Sequence, residues 1–228
     1  MGRAKEIIVK VIPSKIANDF VKKHHYSGKV VPNSTLHFGA FLDNKLHGVM
    51  SFGPSINKKG TINLVEGTDW NGFLELNRMA FDDYLPSNSE SRCISIALKL
   101  IKKNAPQIKW IISFADGCQC GDGTIYRASG FKLVGIAENT AIRINPKTGE
   151  KVHIIQAHHL KISSHEFRSW QPIKGNMLKY IYFIDKTKEK DLTVPIIPFS
   201  KIDELNAGMY KGQKITQAER HNKKVDNK

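Results

Sequence analysis

The sequence has no apolar run approaching the roughly 20 residues that a membrane-spanning helix requires. It also has little cysteine: Cys93, Cys118 and Cys120 are three in 228 residues. The first lack argues against a helical membrane protein. The second argues against a disulfide framework, since a sparse, odd set in a chain without an export pattern reads as reduced thiols. The opening stretch MGRAKEIIVKVIPS has too short an apolar run for a signal peptide and no small-residue cleavage pattern. Lys5-Glu6-Ile7 stands where a myristoylation signal needs Ser or Thr. A cytoplasmic location is expected.

Negative charge is scarce as well. Lys and Arg number 35 against 21 Asp and Glu, which leaves a net charge of +14. Such an excess points to a polyanionic partner, nucleic acid first, through counterion release and electrostatic steering. A lysine-rich protein with no such partner is the alternative. What is present otherwise is ordinary for a globular protein: 40% hydrophobic and 25% charged residues, in a chain long enough to bury a core without disulfides.

Periodicity divides the chain into a strand over residues 6–12 closed by Pro13, a helix capped by Ser14 with Ile16, Phe20 and Val21 on its apolar face, and a hairpin around Asp43-Asn44. Another strand follows at 73–83. Next comes a helix from Arg92 with Ile94, Ala97, Leu98 and Ile101 on one face, and then the continuously apolar strand KWIISFAD. GTIYRAS is a short helix stopped by Gly130, and FKLVGIA the next strand. This order predicts an α/β fold with a mixed sheet. A hairpin across Pro146–Gly149 comes after it. The expected organisation is a catalytic domain over 1–160, an extended accessory segment over 161–210, and a basic, disordered tail over 211–228.

The core that closes with IYRASGFKLVG resembles the GNAT acyltransferase superfamily. HHYSG, LHGVMSFG, ELNRMAFDD, PSNSESR, SFADG, GTIYRASGF and YIYFID…PFSKID…MYKG, in that order, resemble the phage Mom family of DNA adenine modification proteins. The resemblance implies a GNAT-like fold with a C-terminal accessory segment. It also implies a transferase that places a methylcarbamoyl or acetamido-type group on N6 of adenine in DNA, which protects phage DNA from host restriction. Acetyl-CoA or a related acyl donor, and iron, are the cofactors it implies. One departure stands out. Where GNAT enzymes carry a glycine-rich pyrophosphate loop, this chain reads LPSNSESR. A helix N-terminus with Ser89 and Ser91 is what it offers a phosphate, and Glu90 is an unfavourable neighbour.

Single residues carry the rest. His25 and Tyr26 sit at a helix-to-loop junction, where a histidine can act as base or metal ligand or merely favour the helix end by charge. Asp116 closes the apolar strand, at the carboxyl end where open α/β sheets place function, though Asp-Gly is also turn chemistry. The resemblance sets it beside His25, as catalytic partner or shared metal ligand. It makes Tyr126 the acid that protonates a departing thiolate; an aromatic packed under the sheet is the other reading. Arg78 and Asn77 lie where alternation sends one inward, so Arg78 either contacts the donor or is structurally paired. Ser89 and Ser91 are candidate donor contacts, with capping as the alternative for Ser91. Glu75 and Asp83 read as surface. Cys118 and Cys120 supply only two soft ligands, too few for a zinc site, and read as a loop insert at a functional edge. Two rivals remain: an acetyl-CoA-dependent acetyltransferase on a protein or small amine, and a non-catalytic DNA-binding protein.

Overall fold

The computed structural model describes residues 3–216 and Glu219. Along the chain run β1 (Ile8–Val11), α1 (Ser14–His24), β2 (Leu36–Leu42), β3 (Lys45–Gly53), α2 (Lys58–Ile62), β4 (Phe73–Phe81), α3 (Ser89–Asn104), β5 (Trp110–Asp116), α4 (Thr124–Ala128) and β6 (Lys132–Glu138). Then come β7 (Ile142–Ile144), β8 (Lys151–His153), α5 (Ile154–His159), α6 (Ser164–Ser169), β9 (Gln171–Pro172), β10 (Asn176–Phe183), α7 (Ser200–Glu204), β11 (Met209–Tyr210) and β12 (Gln213–Lys214). Seven strands form one sheet in the order β1-β2-β3-β4-β5-β10-β6. The first four pair antiparallel, and β4 pairs parallel with β5. The fold is therefore α/β with a mixed sheet. Among the described residues no helix is long and apolar enough to cross a membrane.

The hairpin turn between β2 and β3 forms where Asp43-Asn44 demanded it. Both residues take positive φ, 51° and 60°, as the tight two-residue turn requires. Helix α1 departs from expectation in detail. Pro13 occupies the N-cap position and Ser14 is the first helical residue. Ala17 and Val21 pack on Val49, Ala80 and Ile12, whereas Ile16 is 47% exposed. The i, i+4 pair Ala17–Val21 lets the helix lie close to the sheet, and the bulkier Ile16 turns out. A second cluster is built from Phe73, Trp110, Ile112, Val134, Ile181 and Phe183; the Phe73 and Trp110 rings stack with centroids 4.2 Å apart.

The chain does not divide at residue 160. One unit holds the chain up to Phe114 with Thr124–Val134 and Lys179–Ile197; the other holds Ala115–Gly123, Gly135–Leu178 and the segment from Pro198. The reason is β10. Its sequence, NMLKYIYF, lies within the expected accessory segment but is a strand of the main sheet between β5 and β6. In the second unit β7 pairs with both β8 and β9, and Val152, Ala157, Phe167 and Trp170 form that unit's own small core. The tail expected from residue 211 opens within the β11–β12 hairpin; residues 217, 218 and 220–228 of it lie outside the described residues.

Candidate active site

The first unit concentrates its polar side chains where β4 is irregular. Ser51 of β3 pairs with Arg78, but Phe52 pairs with Leu76, so Asn77 is an extra residue in a β-bulge. A bulge re-aims side chains and ends regular pairing. On its other edge β4 pairs with β5 only at Phe73, Leu74 and Glu75, opposite Trp110, Ile111 and Ile112. Beyond Glu75 the registered pairing stops, and buried Ser113 reaches Leu76 O with its hydroxyl at 3.3 Å.

Three polar side chains gather here. Asn77 is 6% exposed; its Oδ1 accepts from Ser34 Oγ at 3.0 Å, while Nδ2 is buried with no acceptor at hydrogen-bonding geometry. The Glu75 carboxylate nevertheless lies close enough for Asn77 to lower its pKa, so Nδ2 faces that carboxylate just outside hydrogen-bonding geometry. Gly53 makes room: a Cβ there would collide with Asn33 O and Asn77 Oδ1. Arg78 donates from Nε to Lys29 O at 2.9 Å and from Nη1 to Asn77 O at 2.8 Å, tying the bulge to the loop after α1. Burial lowers its pKa, and Tyr26, Glu75 and Tyr126, in that order, pull it back up. Both phenols thus lie within electrostatic reach of one guanidinium. Glu75, expected on the surface, is largely enclosed. Burial raises its pKa, and contacts from Ser55, Asn77 and Arg78 offset this only in part. Sequence reading missed it because strand alternation makes Glu75 and Arg78 alternate faces. The bulge breaks that alternation.

His25 caps α1 with extended backbone, its N–H donating to Val21 O. Ser27 N–H donates to His25 Nδ1 at 3.1 Å and Ser27 Oγ lies 2.8 Å from it, which leaves the ring proton on Nε2. The ring lies 4.4 Å from that of Tyr26, which is 52% exposed. Tyr126, in the first turns of α4, packs on Phe131 and on fully buried Tyr180, with centroids 5.5 and 5.4 Å apart.

The expected donor contacts at α3 fare differently. The helix starts at Ser89, three residues before the predicted Arg92, after Asn88 in the left-handed region at φ 68°. Ser89 is therefore buried, its hydroxyl donated to Pro86 O at 2.5 Å. It faces inward instead of meeting a phosphate. Ser91 is partly exposed and donates to Asn88 O at 3.2 Å.

Asp116 belongs to the second unit. Its Oδ1 accepts from the backbone of Cys118 and Gln119 at 3.0 and 3.2 Å, and its Oδ2 from Gln119 Nε2 at 2.9 Å. This is a carboxylate holding a turn. Its oxygens and the His25 Nδ1 are engaged in local hydrogen bonds, and among the described residues no three His, Cys, Asp or Glu converge on a point. Burial pushes the Cys118 thiol up to about 12 and raises that of Cys120, so neither is disposed to act as a thiolate ligand. Among the described residues the iron expected from the resemblance finds no support.

A model of the Mom protein family matches residues 6–201. The chain belongs to the Mom protein family. The methylcarbamoylase Mom of Escherichia phage Mu is 36% identical over 202 residues, which cover 85% of this chain and 82% of that relative. The Mom-family chain is accordingly a transferase. Solved acetyltransferases are more distantly similar. An IAA acetyltransferase from Bacillus cereus covers 78% of this chain and 99% of its own, at 12% identity and a TM-score of 0.46. An acetyltransferase from Bacillus subtilis, solved with CoA, covers 78% and 98% at 11% identity and a TM-score of 0.45.

Proposed function

We propose that this transferase moves a methylcarbamoyl or acetamido-type group to N6 of adenine in DNA from an activated relative of acetyl-CoA that already carries the group's nitrogen. It would do so in the cytoplasm of a host cell, protecting phage DNA from restriction. The observation that carries the chemistry is the bulge at Asn77, where β4 leaves β5 and Arg78 stands within reach of two phenols. Parted strands leave backbone groups that an extended donor can pair with. At the N-terminus of α3, Ser91 and the helix dipole suit the donor's phosphates, although Glu90 there opposes them.

The adenine amine is conjugated to its ring and weakly nucleophilic, so the transition state needs help at each atom. For a methylcarbamoyl thioester the N6 lone pair attacks the carbonyl carbon; the C–N bond forms, the C–S bond to the leaving thiolate breaks, and the donor's own nitrogen stays on the transferred group. Negative charge that develops on the acyl oxygen is met by the fixed Arg78 guanidinium and by Asn77 Nδ2, both held before the reaction begins. Tyr126 supplies the proton to the departing sulfur. Glu75, whose raised pKa brings it nearer neutrality, takes the proton that N6 sheds. His25, with its proton on Nε2, and Tyr26 act as donors that orient the base. Asp116 holds the turn that follows β5. Because N6 is paired within duplex DNA, the base must be extruded or caught unpaired.

Mass spectrometry of nucleosides from cells expressing the chain tests this. A new adenosine species of the expected added mass supports it. Acetylation of a small amine or protein with unmodified DNA would establish the acetyltransferase reading. DNA binding with no covalent product would leave a binding protein.

A further inference from the structure

Between β8 and β9 the second unit presents a surface that the reaction chemistry does not use. Helices α5 and α6, joined by a short turn, bury Ala157 and Phe167 against Val152 and Trp170. Ile154, Ile155, His158 and His159 of α5 are exposed, Ile154 at 47% and Ile155 at 39%, as is Leu160 just past the helix at 57%. Three large aliphatic side chains are thus exposed within seven residues, a local density of the kind that partners cover.

What surrounds them selects the occupant. Lys161 and Arg168 are exposed nearby, and Glu166 is the only carboxylate between Ile154 and Trp170. Over Asn139–Leu178 six Lys and Arg face Glu150 and Glu166 alone. A second copy of this surface would set cation against cation. A polyanion with apolar faces complements both features at once, and unstacked nucleic acid is such a ligand, with phosphates outside and base faces exposed. We infer that the α5–α6 surface grips DNA locally opened for modification, with Ile154, Ile155 and Leu160 against exposed base faces and Lys161 and Arg168 on flanking phosphates. The inference rests on the DNA-directed reading above, and adds to it which surface opens the duplex.

The test uses the full chain and a labelled duplex carrying 2-aminopurine beside its target adenine, with anisotropy for binding and 2-aminopurine fluorescence for unstacking. Ile154→Ser/Ile155→Ser/Leu160→Ser should keep most of the duplex affinity at low salt but lose the rise in fluorescence. It should modify duplex DNA at least about ten-fold more slowly and an unpaired strand at close to the normal rate. Lys161→Asn/Arg168→Gln should flatten the dependence of log affinity on log salt by about 0.9 for each phosphate contact removed. All five side chains are exposed, so melting temperature should hold; a variant that melts early is replaced by its single substitutions. Wild-type unstacking and salt slope in both variants, with adenine still modified, would overturn this inference and leave the proposed function standing. A triple variant that changes the sedimenting mass but not DNA behaviour would assign the surface to a second copy and also overturn it. A wild-type chain that neither binds nor modifies DNA removes both readings.

Discussion

Replacing Tyr126 by Phe isolates one hydroxyl. The ring is held by Phe131 and by buried Tyr180, at centroid distances of 5.5 and 5.4 Å, and these contacts do not need the oxygen. The substitution therefore keeps the packing that an aromatic-only role requires. Its stability cost is that of one neutral hydrogen bond, about 0.5–1.5 kcal/mol, whereas Tyr126→Ala would remove the ring and cost about 3–5 kcal/mol if the cavity does not collapse. The effect on rate is of another size. Loss of a general acid lowers the rate about 10²–10⁴-fold, equivalent to about 3–5 kcal/mol of activation free energy. The Phe variant should thus stay folded and bind DNA while modified adenine per total adenine falls at least about 100-fold. Rate, melting temperature and DNA affinity are measured on one preparation. A leaving group of lower pKa on a synthetic donor should recover part of the loss, which no packing defect would do. Modification near the wild-type level would refute the reasoning and leave Tyr126 as packing.

Glu75→Gln should raise the melting temperature at pH 7 and leave it unchanged near pH 4. Burial raises the carboxyl's pKa above its ordinary 4.5, so its stabilising share is full below that value and lost as pH rises through the folded one; a gap that shrinks with rising pH contradicts this. The same variant should show slow adenine modification without the rise in rate that ionisation of a base gives. Arg78→Lys keeps the charge but cannot reach Lys29 O and Asn77 O together. It should lose about 1.5–3 kcal/mol of stability by chemical denaturation, and lose turnover by more than this predicts. Deleting residues 217–228, which carry four Lys and Arg against Glu219 and Asp226, should leave melting unchanged and lower the salt slope of DNA binding by at most about 3–4; loss of soluble protein would count against a merely electrostatic tail.

Much of the fold was legible in the sequence because it rests on local signals. Asp43-Asn44 specified its turn, Gly130 its helix stop with φ 82°, and the apolar run from Trp110 its inner strand. Three things were not legible, each for want of a long-range fact. The bulge at Asn77 depends on how β3 and β4 register, which neither strand encodes alone, and with it went the burial of Glu75. Ser89 looked like a loop hydroxyl because nothing in PSNSES announces that Asn88 will adopt a left-handed backbone and start α3 early. Strand β10 reads as any amphipathic strand, and its neighbours in sequence are not its neighbours in the sheet. At the site, the residue types were readable, but the engagement of Asp116 in its own turn was not.

The place of β10 has a bearing on how the molecule comes to exist. As the chain leaves the ribosome, β5 and β6 are complete 45 residues before Phe183 emerges (183 against 138), yet they are not each other's partners. Until then each holds out a bare hydrogen-bonding edge beside an apolar face, the condition under which nascent sheets stick to one another. Shortening the Asn139–Gly175 insertion would bring the missing strand sooner and hasten closure, because less chain must be looped before the contact forms. A premature stop anywhere before Phe183 would not yield a catalytic half lacking an appendage. It would yield a sheet with β6 cut off from β5, fit for chaperones and proteases.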